Sequence, residues 1–472
     1  MGPGFAGPYV GGMADDRPLK SERRLTDTEA LMWAVERDPS MRSTFLNVTF
    51  LDRAPDVVRF RRRMEAAVAA IPRLRQRVVP PGIPLAPPSW EFDPEFDLDY
   101  HVRHMAAPPP GHERDLLDLA ALLYTDAFDP QRPLWQYTII EGLADDRAAL
   151  LAKMHHTITD GVGGVRMSAM FLDLERDPAE DPASPPPASG GESEDDLEGR
   201  DGMFESVGAA LRRPLDLTWR AVGGAMESAR NPISTAQSMA RQLVITDKAR
   251  SPLWAGVRSM GRRFETLSVE MGAAKQAAKS LGGTLNDLYV TGVAGGAGAY
   301  HRAKGKEVDE LRVSMPVSTR TDKSAGGNAF APSRVLVPAG ITDPVARFAA
   351  VHERLDQVKS ERALGLADAL AGILSTLPTP IIVRLARQQV ETVDFACSNV
   401  RGAPFDLFIA GAKVLSNHPM GPTAGTAFNI TLLSYLDQLD FGLNIDTAAV
   451  DDPELLRDCL RDGLDEVIAA GS

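Results

Sequence analysis

Only two cysteines, Cys397 and Cys459, occur among 472 residues, which excludes a disulfide framework and any cysteine-rich zinc or iron–sulfur site. Such thiol-poor composition fits a reducing cytoplasm. No window approaches about 18 uninterrupted apolar residues, so the chain offers no obvious membrane-spanning helix. The opening stretch, "MGPGFAGPYVGGMADDRP", lacks a basic region followed by an apolar core. It does not read as a secretory signal, and residues 1–20 are expected to form a flexible tail. Basic residues are not interleaved with aromatics, so no nucleic-acid partner is expected. A G-x-S-x-G nucleophile elbow is missing as well, which argues against a serine hydrolase.

The composition that is present, 44% hydrophobic and 24% charged, is that of a globular protein. The length suits two domains. A formal charge of -13 is unevenly spread. Residues 173–201 carry eleven acids against Arg176 and Arg200, whereas 203–263 carry ten basic residues against four acids. The proline-, glycine-, serine- and acid-rich run 176–202 reads as a linker. Beyond it Leu215, Trp219, Val222 and Met226 share a helical face ringed by Arg212, Arg213, Arg220 and Arg230. That face suits either a membrane surface or a crossover helix packed on the body.

Strand patterns occur at 43–52, 73–79, 135–143, 148–156, 311–318, 333–338 and 394–400, with a long hairpin over 427–446 turning near Asp437 and Gln438. Val57, Phe60, Met64, Ala67 and Ile71 mark a helix. Further helices are expected at 343–359, at 453–469 and after the histidines through Val165, Ala169 and Leu172. The expected fold class is α/β (α+β) in layers. It comprises a lobe over 21–175, an acidic linker and basic crossover over 176–265, and a second lobe over 266–472.

The stretch "KMHHTITDGVGG" (153–164) carries the chemistry. Histidine titrates near neutrality and can both take and return a proton. At a strand end, side chains alternate between faces, so His155 and His156 cannot both meet one substrate. One is chemical and the other structural, and spacing does not choose between them. Asp160 could contact the imidazole or pair with a buried arginine; as a buried carboxylate it needs a partner. Gly161 and the glycines after it allow close backbone approach. Adjacent histidines on opposite faces chelate poorly and nothing nearby completes a ligand set, so no metal site is expected; His101 and His104 are likewise separated by odd spacing.

"HHTITDG" (155–161) resembles the HHxxxDG motif of acyltransferases related to chloramphenicol acetyltransferase and to peptide-synthetase condensation domains. A closer resemblance, to bacterial wax ester synthases/diacylglycerol acyltransferases, rests on eight ordered stretches. Besides the motif these are "LTDTEALMWAVERDP" (25–39), "FDLDYHVRHMAAPPPG" (96–111), "FDPQRPLWQYTIIEGL" (128–143), "TLNDLYVTGVAGGAGAY" (284–300), "MPVSTR" (315–320), "SNVRGAPFDLFIAGAKV" (398–414) and "FNITLLSYLDQLDFGLNID" (428–446). Two departures are the long acidic linker and 25–39, which differs from the family's commonest "LSPLD" form.

The resemblance implies two chloramphenicol-acetyltransferase-like lobes with an active-site tunnel between them. It implies His156 as general base, His155 facing away, Asp160 as mainly structural and Gly161 shaping the turn. Pro133 and Trp135 match the family's "PLW" and Asn286 and Asp287 its "ND", although Thr284 before Asp287 also spells a helix cap. Ser398, Asn399 and Gly402 form either a loop near the thioester or a plain turn. "DFG" (440–442) resembles a structural motif of plant relatives. The implied reaction uses no cofactor and takes long-chain acyl-CoA as co-substrate, with diacylglycerol or a long-chain alcohol as acceptor. It would proceed at a membrane or lipid-droplet surface, in a cytoplasmic protein peripheral to the inner membrane face. Rival readings are a carrier-protein-dependent condensing or trans-acylating enzyme and a non-catalytic lipid-binding protein on the same fold.

Overall fold

The first described helix starts where Thr26 accepts from the Glu29 backbone N–H (3.3 Å) while the Glu29 carboxylate accepts from that of Thr26 (2.8 Å). This reciprocal cap satisfies two donors a helix start otherwise leaves bare. The computed structural model describes residues 24–80, 88–159, 164, 167–178, 251–256, 258–318, 330–362, 384, 387 and 390–472. The first half runs α1 (Asp27–Val35), β1 (Thr44–Leu51), α2 (Val57–Ala70), β2 (Gln76–Val79), β3 (Ser89–Phe92), α3 (Leu98–His101), β4 (Val102–Ala106), α4 (Glu113–Thr125), β5 (Trp135–Glu141), β6 (Ala148–His155) and β7 (Leu172–Asp173). The second runs β8 (Arg262–Glu270), α5 (Met271–Ser280), α6 (Leu285–Ala303), β9 (Leu311–Ser318), β10 (Phe330–Val337), α7 (Pro344–Arg362), β11 (Phe395–Arg401), β12 (Phe408–Ile409), β13 (Ala412–Met420), β14 (Phe428–Tyr435), β15 (Gln438–Asp446) and α8 (Pro453–Ala470).

These strands form two large sheets, ordered β4-β5-β6-β1-β13-β12-β7 and β10-β9-β11-β14-β15-β8. Alternation along β1 explains how the first sheet serves two purposes. Leu46, Val48 and Phe50 pack with Leu116, Leu117 and Ala120 of α4, while Phe45, Asn47 and Thr49 face the other way. The second sheet packs its apolar face, including Ile430, Leu432, Phe441 and Leu443, against α6 and α8.

The two lobes share strands across the sequence midpoint. β12 and β13 come from the second half, yet β13 pairs with β1 and β12 with β7. At the seam Pro419 O lies 2.3 Å from where a Cβ on Gly442 would stand, so only glycine fits there. Asp440 bridges the sheets, accepting from Asn417 N at 2.8 Å and from Ser268 Oγ at 2.7 Å. The "DFG" stretch is thus part of the interlobe seam.

Two expectations change. Within 73–79 only Gln76–Val79 is a strand, because Pro72 fixes a helical backbone angle and opens a 3-10 turn over Pro72–Arg75. Leu172 is not on a helix but in β7, paired with Ile409; the added pairing outweighs the helical spacing. Residues 1–20, most of the linker and crossover, and Arg212, Arg213 and Trp219 lie outside the described residues.

Candidate active site

A cavity of about 450 Å³ lies between the inner faces of the two sheets. One wall is built by Phe45, Asn47 and Thr49 of β1, Tyr137 of β5, Leu150, Ala152 and Met154 of β6, and Val414, Asn417 and Pro419 of β13. The facing wall comes from Ser314 and Pro316 of β9, Ser398 and Val400 of β11, and Asn429, Thr431, Leu433 and Tyr435 of β14. His156 lines it as well. A largely apolar pocket with few polar groups is the usual form of a small-molecule site.

The two histidines part company at the end of β6. His155 is 1% exposed, and its Nδ1 accepts from the Thr157 backbone N–H at 3.1 Å. Its Nε2 therefore carries the proton and donates to Glu36 Oε2 at 2.9 Å. Glu36 Oε2 also accepts from Ser43 N at 3.2 Å, and Ser43 O accepts from His156 N at 3.0 Å. His156 turns toward the cavity, its ring packed against Phe45 with centroids 4.7 Å apart. Burial pushes its imidazole down to about 4; the neighbouring His155 adds to this and a backbone hydrogen bond with Thr159 opposes it. It is uncharged at neutral pH, so its ring can accept a proton.

Asp160 and Gly161 lie outside the described residues. Pro133 and Trp135 are buried and do not line the cavity. Trp135 stacks on His101, donates from Nε1 to Leu74 O at 2.8 Å and is paired in register with Met154. The neighbouring Leu134 O accepts from His155 N at 3.0 Å. The "PLW" stretch therefore supports the strand that carries the histidines. Asn286 and Asp287 also stand apart from the cavity. Asp287, 0% exposed, closes the cap of α6 by accepting from Thr284 N and Oγ1, each at 2.8 Å, and lies 3.0 Å from His352 Nδ1.

Ser398, Asn399 and Gly402 do line the cavity. Ser398 and Asn399 lie in β11, paired with Thr431 and Leu432 of β14. Sequence reasoning missed Glu36, whose only signal was its place in the quoted stretch 25–39. It also missed Asn47, Thr49 and Asn417, which look like unremarkable strand residues until two sheets face each other. Among the described residues no cluster of three or more metal-binding side chains occurs. His101 is buried against Trp135, while His104 lies 3.0 Å from Glu141.

The chain matches the wax ester synthase/diacylglycerol acyltransferase catalytic domain over residues 25–289 and the C-terminal domain of the same family over 326–467. The chain belongs to the wax ester synthase/diacylglycerol acyltransferase family. Membership makes it an acyl-CoA-dependent O-acyltransferase of the type that serves triacylglycerol and wax ester synthesis. It is 36% identical to a Mycobacterium tuberculosis H37Rv protein named as a diacylglycerol O-acyltransferase, over 94% of this chain and 92% of the relative. A second such protein of that strain is 28% identical over 95% and 97% of the two chains. Among solved structures, the wax ester synthase/diacylglycerol acyltransferase from Marinobacter aquaeolei VT8 superposes with a TM-score of 0.65 at 22% identity, covering 95% of this chain and 99% of the other. The first condensation domain of the calcium-dependent antibiotic synthetase gives 0.60 at 15% identity, covering 96% and 98%. Both neighbours share the two-lobed mixed α/β fold.

Proposed function

We propose that His156 is the general base that moves a long-chain acyl group from acyl-CoA to the hydroxyl of diacylglycerol or a long-chain alcohol. Carrying this reading is one observation: a neutral imidazole turned into a mostly apolar cavity between the lobes. The acceptor O–H gives its proton to His156 as its oxygen attacks the thioester carbonyl carbon. The tetrahedral intermediate collapses, the C–S bond breaks, and the proton passes from His156 to the departing sulfur. Ester and free CoA are the products, with no acyl-enzyme and no cofactor. Holding both substrates in line inside the cavity, here taken as part of a through-tunnel, is worth up to about 7–11 kcal/mol of barrier in favourable cases.

The test follows thiol release and lipid product together, using long-chain acyl-CoA with diacylglycerol or hexadecanol. His156→Ala is expected to abolish both signals while the protein stays folded, and full retained activity sinks the role as base. Asp160 and Gly161 are proposed to hold the turn behind His156, and Ser398, Asn399 and Gly402 to contact the substrates.

Such substrates are collected from an interface, so the protein is proposed to work at the inner membrane face or a lipid droplet. Among the described residues no helix is long and apolar enough to cross a membrane. The amphipathic segment bearing Arg212, Arg213 and Trp219 is the proposed contact. Vesicle binding unchanged after substituting all three removes that role.

A further inference from the structure

Along β1 the cavity wall changes character with distance from His156. Phe45 packs on the His156 ring. Asn47 and Thr49 follow on the same face, about 7 and about 13 Å further along at the usual rise per residue. Thr49 is paired in register with Asn417 of β13. Asn47 Nδ2 donates to Thr49 Oγ1 at 2.8 Å and to Asn417 Oδ1 at 3.1 Å, while Thr49 Oγ1 donates to Asn417 Oδ1 at 2.7 Å.

In this arrangement the Asn417 amide turns its oxygen into the cluster. Its Oδ1 is taken up inside the cluster, leaving the Nδ2 hydrogens as the outward end, and among the described residues nothing accepts from them. Asn417 is also fixed from behind, through its backbone N–H to Asp440. An alkyl chain laid over such a donor leaves it stripped of water and unpaired, which is unfavourable. A carbonyl oxygen at the same place restores the hydrogen bond.

We infer that Asn47, Thr49 and Asn417 form a carbonyl-binding subsite, with Asn417 Nδ2 donating to a carbonyl oxygen of a bound substrate further along the cavity from the reacting centre. The inference rests on the acyl-transfer reading above. Carbonyls reach this region from two sources, an ester of an acylglycerol acceptor or an amide of the pantetheine arm of acyl-CoA. A long-chain alcohol acceptor brings none of its own.

The test measures kcat/KM with palmitoyl-CoA against dioleoylglycerol and against 1-hexadecanol, together with KM for palmitoyl-CoA, in Asn417→Leu and in Thr49→Val. Far-UV circular dichroism and urea midpoints establish folding, and Thr49→Val serves if Asn417→Leu does not fold. Loss of one hydrogen bond is expected to cost about threefold to tenfold. A shift of that size in the ratio between acceptors, against dioleoylglycerol, identifies the acylglycerol ester. An equal loss with both acceptors and a raised KM for palmitoyl-CoA identifies the pantetheine amide. Unchanged kcat/KM with both acceptors overturns the subsite, as does a fall in kcat alone that is equal for both. Wild-type protein inactive with both acceptors overturns the acyl-transfer reading instead.

Discussion

His155 Nε2 and Glu36 Oε2 stand 2.9 Å apart, and this pair ties the end of β6 to the end of α1. The same carboxylate oxygen accepts from Ser43 N, whose carbonyl accepts from His156 N. Glu36→Ala leaves the buried His155 N–H without its acceptor, at a cost of about 1–3 kcal/mol. We expect kcat to fall at least about tenfold with a smaller change in KM, and Glu36→Gln to recover much of the loss. Urea melts and steady-state kinetics check both, and unchanged kcat in Glu36→Ala disproves the positioning role.

The pH dependence follows from the lowered pKa of His156. Its neutral, proton-accepting form persists down to about 4, so the acid limb of kcat/KM is expected well below the 6.5 of an ordinary histidine. Stability moves with it. The unfolded histidine binds a proton near 6.5 but the folded one does not until about 4, so this contribution is complete above 6.5 and is lost as pH falls through that window. Urea midpoints of wild type and His156→Gln, taken in steps of about one pH unit from about pH 7 down to about pH 4, are expected to converge on acidification. A constant difference rejects the shift.

Gly442→Ala tests the seam between the lobes. The new methyl meets Pro419 O and also the Met420 side chain at 2.9 Å, so β13 and β15 must move apart. A loss of roughly 1–3 kcal/mol is expected by calorimetry, in line with overpacking elsewhere. A melting temperature equal to wild type contradicts the close approach.

Asp287→Ala separates the two readings of the "ND" stretch. The change removes the α6 cap and the partner of His352, costing about 1–2 kcal/mol, as lost helix caps do. Per folded molecule, kcat is expected to stay within about threefold, a change of less than 1 kcal/mol in barrier. A hundredfold fall in kcat with unchanged stability assigns Asp287 to the chemistry instead.

Much of the secondary structure was legible because its signal is local. The strand pattern at 311–318 matches β9 residue for residue, and the hairpin over 427–446 turns at Leu436 and Asp437 between β14 and β15. Leu172 went astray because a two-residue bridge to Ile409 depends on a partner more than two hundred positions away. The edge strand β8 straddles the expected border between crossover and second lobe at 265/266 and was not singled out, since Arg262 and Arg263 mask its alternation.

The sequence by itself determined the type of many elements, the opposed directions of His155 and His156, and the family, since each depends on short-range periodicity or on a local motif. Only the tertiary structure decided that β13 crosses into the first sheet, that Glu36 holds the buried histidine, and that Asn47, Thr49 and Asn417 meet. Those contacts join residues up to about four hundred positions apart. No local pattern encodes them, because they exist only once two separately formed sheets bury their inner faces against each other.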